Sequence, residues 1–298
     1  MTDCNISLHG SYDVTITDEF GQVSAHHQSN TVLRSGLRAL LEGTCIRNLF
    51  IGRGVTLPSV DENYTMSSIM DVASTDYTVT LAEDSNGIPY YEHKWKFHIP
   101  PGEILNAVTE LGTGYVVDVA GVKERRFFSR TIIRDANDKV KTINKRAADT
   151  LDITYTLHLR FKDIMSSAAE FTLGGATHTA AIGQHSLTDK SVLALNQGLP
   201  DSKFFQGYAF TQDSEFKPFV FMDEPLLPIA ADKVVTNTLG AEQSIAVKLR
   251  IDSVDDSTLG RIAIYSRLGV IQYRLTPLVV FNPGGYLELT INFVLGNK

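Results

Sequence analysis

Histidine, cysteine and carboxylate side chains are the groups in this sequence that could bind a metal or perform acid–base chemistry. His93, His98 and His158 lie in segments that predict neighbouring strands, and His178 and His185 lie in a segment rich in glycine and threonine. No HxH, HExxH or paired CxxC spacing occurs. We therefore expect solvated or packed imidazoles rather than a metal site, and we expect no cofactor.

The glycine, serine and acidic motifs of known sites are also incomplete. No GxSxG elbow is present to hold a nucleophilic serine. The segments IGRGVT and LGTGYV contain paired glycines, but neither completes GxGxxG ahead of a helix. The acidic segment SVDDSTLG lacks the ligand spacing of an EF-hand, so a solvated turn is favoured over a calcium site. We predict that the chain is not an enzyme, with a glycan hydrolase that uses paired carboxylates as the least favoured hypothesis.

The largest local excess of positive charge lies between residues 123 and 146, which contain nine basic and three acidic residues. Such a stretch could face an acidic protein partner, and less readily nucleic acid. The favoured interpretation is simpler: Arg130 and Arg134 occupy the wet face of a strand, and the lysines solubilise a loop. The residues of this candidate interface are Lys123, Arg125, Arg126, Arg130, Arg134, Lys139, Lys141, Lys145 and Arg146.

Composition and charge limit the fold and the partners. The 298 residues, of which 43% are hydrophobic, are enough for two domains with a core each. A formal net charge of −7 disfavours a dedicated nucleic-acid binder. No apolar run approaches the roughly 18 residues of a transmembrane helix, and the first residues lack signal-peptide features. We therefore expect a soluble chain without a membrane partner. Cys4 and Cys45 form no CxxC pair and predict no disulfide framework.

Alternating hydrophobic residues predict that most of the chain is built from strands. The segment LDITYTLHLRF, at residues 151–161, places an apolar residue at every second position. This is the pattern of a long strand with one buried and one solvated face, and His158 falls on the solvated face. The same reasoning predicts a hairpin that turns at residues 18–21 and about six or seven strands in the first half of the chain.

One amphipathic helix and one change in composition organise these strands. Helical spacing of leucine and valine predicts a helix near residues 30–42, with Ser29 or Asn30 as its N-cap. Beyond the alternating segment the sequence becomes rich in alanine, serine, threonine and glycine, which marks a domain boundary. We predict a mainly β protein with two β-sandwich-like domains, residues 1–165 with the helix and residues 166–298.

The order of several motifs resembles that of structural proteins of tailed bacteriophages. There, an Asn-led amphipathic helix precedes a strand that ends in Gly-x-Gly, an aromatic strand and a GEI…E(L/I)G turn follow, and an FSR strand leads to a closing strand similar to LDVTY. Asn137-Asp138 stands where that pattern has a hairpin glycine, and asparagine can adopt the same left-handed conformation. The residues that carry the resemblance are Asn30, Gly36, Leu37, Leu40, Gly52, Gly54, Gly102, Glu103, Ile104, Glu110, Gly112, Phe128, Ser129, Arg130, Asp135, Leu151, Asp152 and Tyr155.

The resemblance implies a virion component of the tail, baseplate, collar or fibre attachment. A homo-oligomer that contacts other virion structural proteins, and that is assembled in the host bacterial cytoplasm, is then expected. Its contact surfaces would include the basic stretch and the polar segments 56–75 and 172–203. The alternative is a β-sandwich carbohydrate-binding or adhesin module, in which Trp95, tyrosines and acidic loops would contact the ligand.

Overall fold

A computed structural model describes residues 2–41, 45–60, 68–86, 89–162, 168–173, 176–185, 205–211, 226–239, 242–252, 257–266, 269–281 and 286–297. Within these residues the chain forms twenty strands and one α-helix. The predicted mainly β class is confirmed.

The elements of the first half are β1 (Thr2–Thr17), β2 (Val23–Ser29), β3 (Thr31–Val32), α1 (Arg34–Leu41), β4 (Asn48–Gly52), β5 (Ser68–Ala73), β6 (Asp76–Glu83), β7 (Pro89–Ile99), β8 (Leu105–Val108), β9 (Glu110–Val119), β10 (Val122–Ile132), β11 (Ile143–Lys145) and β12 (Thr150–Lys162). Those of the second half are β13 (Ala168–Leu173), β14 (Ala176–His185), β15 (Phe205–Thr211), β16 (Leu226–Leu239), β17 (Glu242–Asp252), β18 (Ser257–Ser266), β19 (Gly269–Phe281) and β20 (Tyr286–Asn297).

The strands form three sheets. The first has 13 strands in the order β13-β14-β19-β18-β15-β16-β17-β20-β1-β12-β7-β6, with β2 added beside β1. The second has five strands in the order β3-β10-β9-β4-β5, and β11 pairs with β8 in a third. Most pairings are antiparallel, which suits strands joined by short turns.

The first sheet contains one block of strands from each half of the chain, and the blocks meet where β1 lies beside β20. This pairing is parallel and runs from Thr2 opposite Ile291 to Leu8 opposite Asn297. On its other side β1 pairs antiparallel with β12 along nearly its whole length. The division into domains at residues 1–165 and 166–298 stays a prediction.

The alternation predicted for β12 is confirmed. Leu151, Ile153, Tyr155, Leu157 and Leu159 are at most 1% exposed, and the residues between them are more exposed, apart from one buried threonine. The apolar face packs into a core shared with the second sheet and with α1. An eleven-residue segment with strict period two thus serves as the central strand of the first-half block.

The helix is shorter than predicted. It begins at Arg34, because residues 31 and 32 pair with β10 as strand β3 and cannot also be helical. The backbone N–H of Leu37 donates to the carbonyl of Leu33, so neither Ser29 nor Asn30 is the N-cap. The amphipathic character is confirmed, since Leu37 and the next leucine on the same face are buried.

A cluster of buried hydroxyl and amide groups joins the two large sheets. The hydroxyl of Tyr12 on β1 lies 3.0 Å from that of Ser129 on β10, which lies 2.7 Å from that of Thr113 on β9. On β12, the Tyr155 hydroxyl accepts a hydrogen bond of 3.3 Å from the Asn30 amide. Burial raises the pKa of Tyr155 to about 12 and that of Tyr12 still further, so both phenols are neutral at ordinary pH. We call these five residues the inter-sheet cluster.

The predicted number of strands in the first half was wrong, because the described residues before residue 163 already form twelve strands. The additional strands include β3, β8 and β11, which are two to four residues long and carry no readable period. The predicted hairpin at residues 18–21 is confirmed: Asp18 Oδ1 accepts the backbone N–H groups of Phe20 and Gln22.

Candidate assembly surface

The hairpin of β9 and β10 extends beyond the strands that flank it. β4 pairs with β9 only as far as Gly114, and β3 pairs with only two residues of β10, Ser129 and Arg130. Between these contacts, residues 115–126 have no third strand beside them in the described part of the chain. We call residues 115–126 the ribbon. Both of its edges present backbone groups without a strand partner, which is the arrangement that allows another strand to be added.

The tip of the ribbon is a tight turn that exposes apolar side chains. Ala120 and Gly121 both have positive φ, 53° and 83°, as a two-residue hairpin loop of the favoured twist requires. Asp118 Oδ1 accepts the backbone N–H of Gly121 at 2.8 Å. The flanking Val119 and Val122 are 44% and 63% exposed. The tip therefore combines a rigid backbone with an apolar surface that faces solvent.

Three of the predicted interface residues lie on the ribbon and are exposed: Lys123, Arg125 and Arg126. Arg125 Nε donates to both carboxylate oxygens of Asp71, at 2.8 and 2.9 Å, and this pair ties the ribbon to β5. Arg126 pairs with Glu124 at 2.6 Å. Lys123, unlike Arg125 and Arg126, has no ion pair among the described residues.

Three further predicted residues lie near the opposite end of β10. Arg134 is half-buried, and Lys139 and Lys141 are exposed. The 11 residues of β10 span roughly 33 Å of extended strand, so these side chains and the ribbon are well separated. The structure therefore does not bring the nine basic residues together as one patch.

The turn at residues 135–139, next to these three residues, is the one for which the resemblance has a hairpin glycine. Asp138, and not Asn137, takes the left-handed conformation, with φ of 62°. Asp135 Oδ1 accepts the backbone N–H groups of Asn137 and Lys139 at 2.8 and 3.0 Å. Arg134 pairs with Asp138 at 2.6 Å. An aspartate therefore occupies the left-handed position for which the resemblance has a glycine.

The last two predicted residues differ sharply in exposure. Arg146 is exposed and pairs with Asp149 at 3.0 Å; this hydrogen bond raises the pKa of the guanidinium and lowers that of the carboxyl. Lys145 is fully buried, and its Nζ donates to the carbonyl of Glu103 at 2.7 Å. Burial lowers the pKa of Lys145. Lys145 is therefore a correction to the predicted interface, because its ammonium group is bound inside the chain.

Arg130 is the second correction, since it is fully buried and does not lie on a wet face. It forms an ion pair with Glu110, which is also fully buried. The second oxygen of Glu110 accepts the backbone N–H of Gly54 at 2.9 Å, and Arg130 Nη2 donates to the carbonyl of Thr56 at 3.0 Å. A side chain at Gly54 would collide with the carboxylate. The pair holds the loop after β4 against β9 and β10.

The three strand histidines considered in the sequence, His93, His98 and His158, differ in burial. His93 is fully buried, with Nδ1 2.7 Å from the Tyr77 hydroxyl. His98 and His158 point outward, as predicted for His158, and pair with carboxylates of the neighbouring strand. No group of three metal-ligating side chains occurs among the described residues. His178 Nδ1 lies 2.9 Å from a backbone carbonyl oxygen, and the side chain of His185 lies outside the described residues.

The other predicted contact regions are only partly described. Trp95, assigned to a carbohydrate surface in the alternative hypothesis, is a correction: it is fully buried, and its Nε1 donates to the carbonyl of Ile46 at 3.0 Å. Of the polar segment 56–75, residues 68–73 form the edge strand β5. Most of segment 172–203 lies outside the described residues.

No helix among the described residues has both the length and the hydrophobicity of a membrane-spanning helix. Among known proteins, no family model, curated protein or solved structure matches the chain.

Proposed function

We propose that the chain is a non-enzymatic structural component of a tailed-phage particle, in the tail, baseplate or collar. It assembles as a homo-oligomer and contacts other virion proteins. The proposal rests on the ribbon, residues 115–126, which has an apolar tip and, among the described residues, no strand paired to either edge.

The physical argument starts from what an exposed strand edge does. Its free N–H and C=O groups favour pairing with another strand, and proteins that remain monomeric usually shorten, cover or charge such edges. On the ribbon, Arg125 and Arg126 are neutralised by Asp71 and Glu124, so most of its charge is already compensated. The exposed Val119 and Val122 add apolar area at the tip. A repeated subunit can multiply such modest contacts in a closed ring.

The placement of the residues that carry the resemblance supports a role as framework. Asn30, Ser129 and Tyr155 belong to the inter-sheet cluster, and Glu110 and Arg130 form the buried ion pair. These side chains join elements within the subunit through hydrogen bonds and an ion pair. These five of the residues that carry the resemblance therefore act within the subunit, which supports a shared structural module.

The oligomeric state tests the proposed surface. We expect native mass spectrometry of the purified chain to show one discrete homo-oligomer, and V122D to dissociate it, since a carboxylate at the tip would have to lose its hydration. The matched control is V280D, because Val280 on β19 is 68% exposed and lies outside the ribbon. A wild-type chain that stays monomeric, or a V280D variant that dissociates as fully as V122D, would contradict the proposed surface.

The location in a particle needs a separate measurement. Peptide mass spectrometry of purified phage particles should find the chain at a stoichiometry that is a multiple of the oligomer, and immunogold labelling should place it at the tail or collar. Its absence from purified particles would overturn the proposal even if the oligomer forms.

A further inference from the structure

The outer face of β1, β12 and β7 contains a small cavity. Its volume is about 220 Å³. This is smaller than the roughly 300–1,000 Å³ of sites that take drug-sized ligands, so it has room for a single ring. The described residues that line it are Ser7, His9, Asp84, Tyr90, His158 and Arg160.

The charges around this cavity are paired with one another. Arg160 Nη2 lies 2.8 Å from Asp84 Oδ2. His158 Nε2 lies 3.1 Å from Glu92 Oε2, and the other oxygen of Glu92 lies 2.6 Å from Lys94 Nζ. Burial alone would raise the pKa of Glu92, but hydrogen bonds from Lys94 and His158 outweigh it and lower the pKa. The cavity is therefore polar without a large excess of either charge.

Ring contacts fix the walls of the cavity. The ring of Tyr90 meets that of His158 edge to face, with centroids 4.9 Å apart. The guanidinium carbon of Arg160 lies 5.7 Å from the Tyr90 centroid, within the range of a cation–π contact. The ring centroids of His9 and His158 are 6.4 Å apart. Since these side chains hold one another, a ligand would find donors and acceptors already oriented.

The chemistry of the lining discriminates between classes of ligand. An anion would have to approach the carboxylates of Asp84 and Glu92, and it would compete with Asp84 for Arg160. A metal ion is not favoured, since the described residues hold no group of ligands for one. A sugar ring carries hydroxyls that donate to carboxylates and accept from guanidinium, imidazole and hydroxyl groups at the same time. Its apolar face can also pack against an aromatic ring.

We infer that this cavity binds one neutral pyranose unit of a glycan. Arg160 and Asp84 supply adjacent donors and acceptors for neighbouring sugar hydroxyls, His158 supplies a further polar contact, and Tyr90 supplies the apolar wall. The inference does not depend on the ribbon or on assembly into a particle.

Saturation-transfer NMR on the full chain tests the site with methyl glucosides, galactosides and mannosides. D-Glucuronate and inorganic phosphate serve as anionic probes. We expect saturation transfer from the protein to at least one neutral glycoside. Both Y90A and H158A should weaken its binding about tenfold or more, as expected when a ring contact or an oriented hydrogen bond is lost.

The matched control is H98A, because His98 pairs with Asp152 on the same two strands and the same face but outside the cavity. H98A should bind the glycoside as the wild type does, and thermal unfolding should show that all three variants are folded. Saturation transfer to the anionic probes alone, to no probe at all, or equal weakening by H98A and H158A would each overturn the inference.

Discussion

The inter-sheet cluster and the outer face of β12 use similar polar side chains in opposite surroundings. Between the sheets, Tyr12 and Ser129 lie 3.0 Å apart and are almost fully buried. On the outer face, His98 and Asp152 lie 2.7 Å apart, and each side chain is about half exposed. The distances are those of good hydrogen bonds in both places, so geometry does not distinguish the two regions.

The two regions differ in their access to solvent. An exposed group that loses its partner is solvated by water, and the pair contributes little to stability. A buried group that loses its partner keeps the full desolvation penalty. The buried polar groups therefore fix how the sheets meet, whereas the outer groups remain accessible to solvent and can exchange a partner at little cost.

The largest effect is expected at the buried ion pair. Replacing Arg130 with methionine leaves the carboxylate of Glu110 uncompensated, and we expect a loss of about 3–5 kcal/mol in the free energy of unfolding. The matched control is R126M, which breaks an exposed pair and should cost less than about 1 kcal/mol. Urea denaturation of both variants measures the difference. Equal losses would show that burial does not separate the two pairs.

A smaller effect is expected within the inter-sheet cluster. Y12F removes one buried hydroxyl but leaves Ser129 and Thr113 bonded to each other at 2.7 Å, so we expect a loss of about 1 kcal/mol. The control is Y90F, on the outer face, whose hydroxyl has no hydrogen-bond partner among the described residues. Thermal and urea unfolding should detect a change only for Y12F. A loss for Y90F as large as that for Y12F would show that burial does not distinguish the two hydroxyl groups.

The smallest effect is expected from protonation of the outer face. The pKa of Glu92 is lowered in the folded chain, so its contribution to stability is complete above its ordinary value of 4.5 and is lost as the pH falls through the folded value. E92Q should therefore be slightly less stable than the wild type at pH 7, by less than about 1 kcal/mol, and the difference should shrink as the pH falls below 4.5.

Urea midpoints measured at pH 7 and at successively lower pH values test this expectation. The control is E83Q, since Glu83 is an exposed residue at the end of β6. A difference between wild type and E92Q that grows as the pH falls would reverse the sign of the proposed contribution.

The sequence predicted the elements in which a period could be read. The segment around Tyr155 alternates over eleven residues, so its strand and its buried face followed directly. Short strands such as β8 and β11 have no period of their own and exist because a partner is present. The start of the helix was misplaced for the same reason, since Thr31 and Val32 pair with β10 instead of entering the helix.

The candidate surfaces were harder to predict, because exposure depends on contacts distant in sequence. Arg130 and Arg126 look alike in the segment RRFFSR, yet one is buried beside Glu110 and the other is exposed. One signal was present: Glu110 is a charged residue in the glycine-rich segment ELGTG, and a buried carboxylate needs a cationic partner. The outer cavity gave no such signal, because Arg160 is distant in sequence from Asp84 and Tyr90.

The parallel pairing of β1 with β20 makes the direction of protein synthesis important for folding. While the chain is still on the ribosome, Asn5–Leu8 can pair with β12, but Thr2–Leu8 has no β20 to cover its other edge. Pairing across nearly the full length of the chain is slow, and an open edge persists in the meantime. If two such chains are made side by side, the β20 of one can occupy the edge intended for the other, which gives an exchanged dimer.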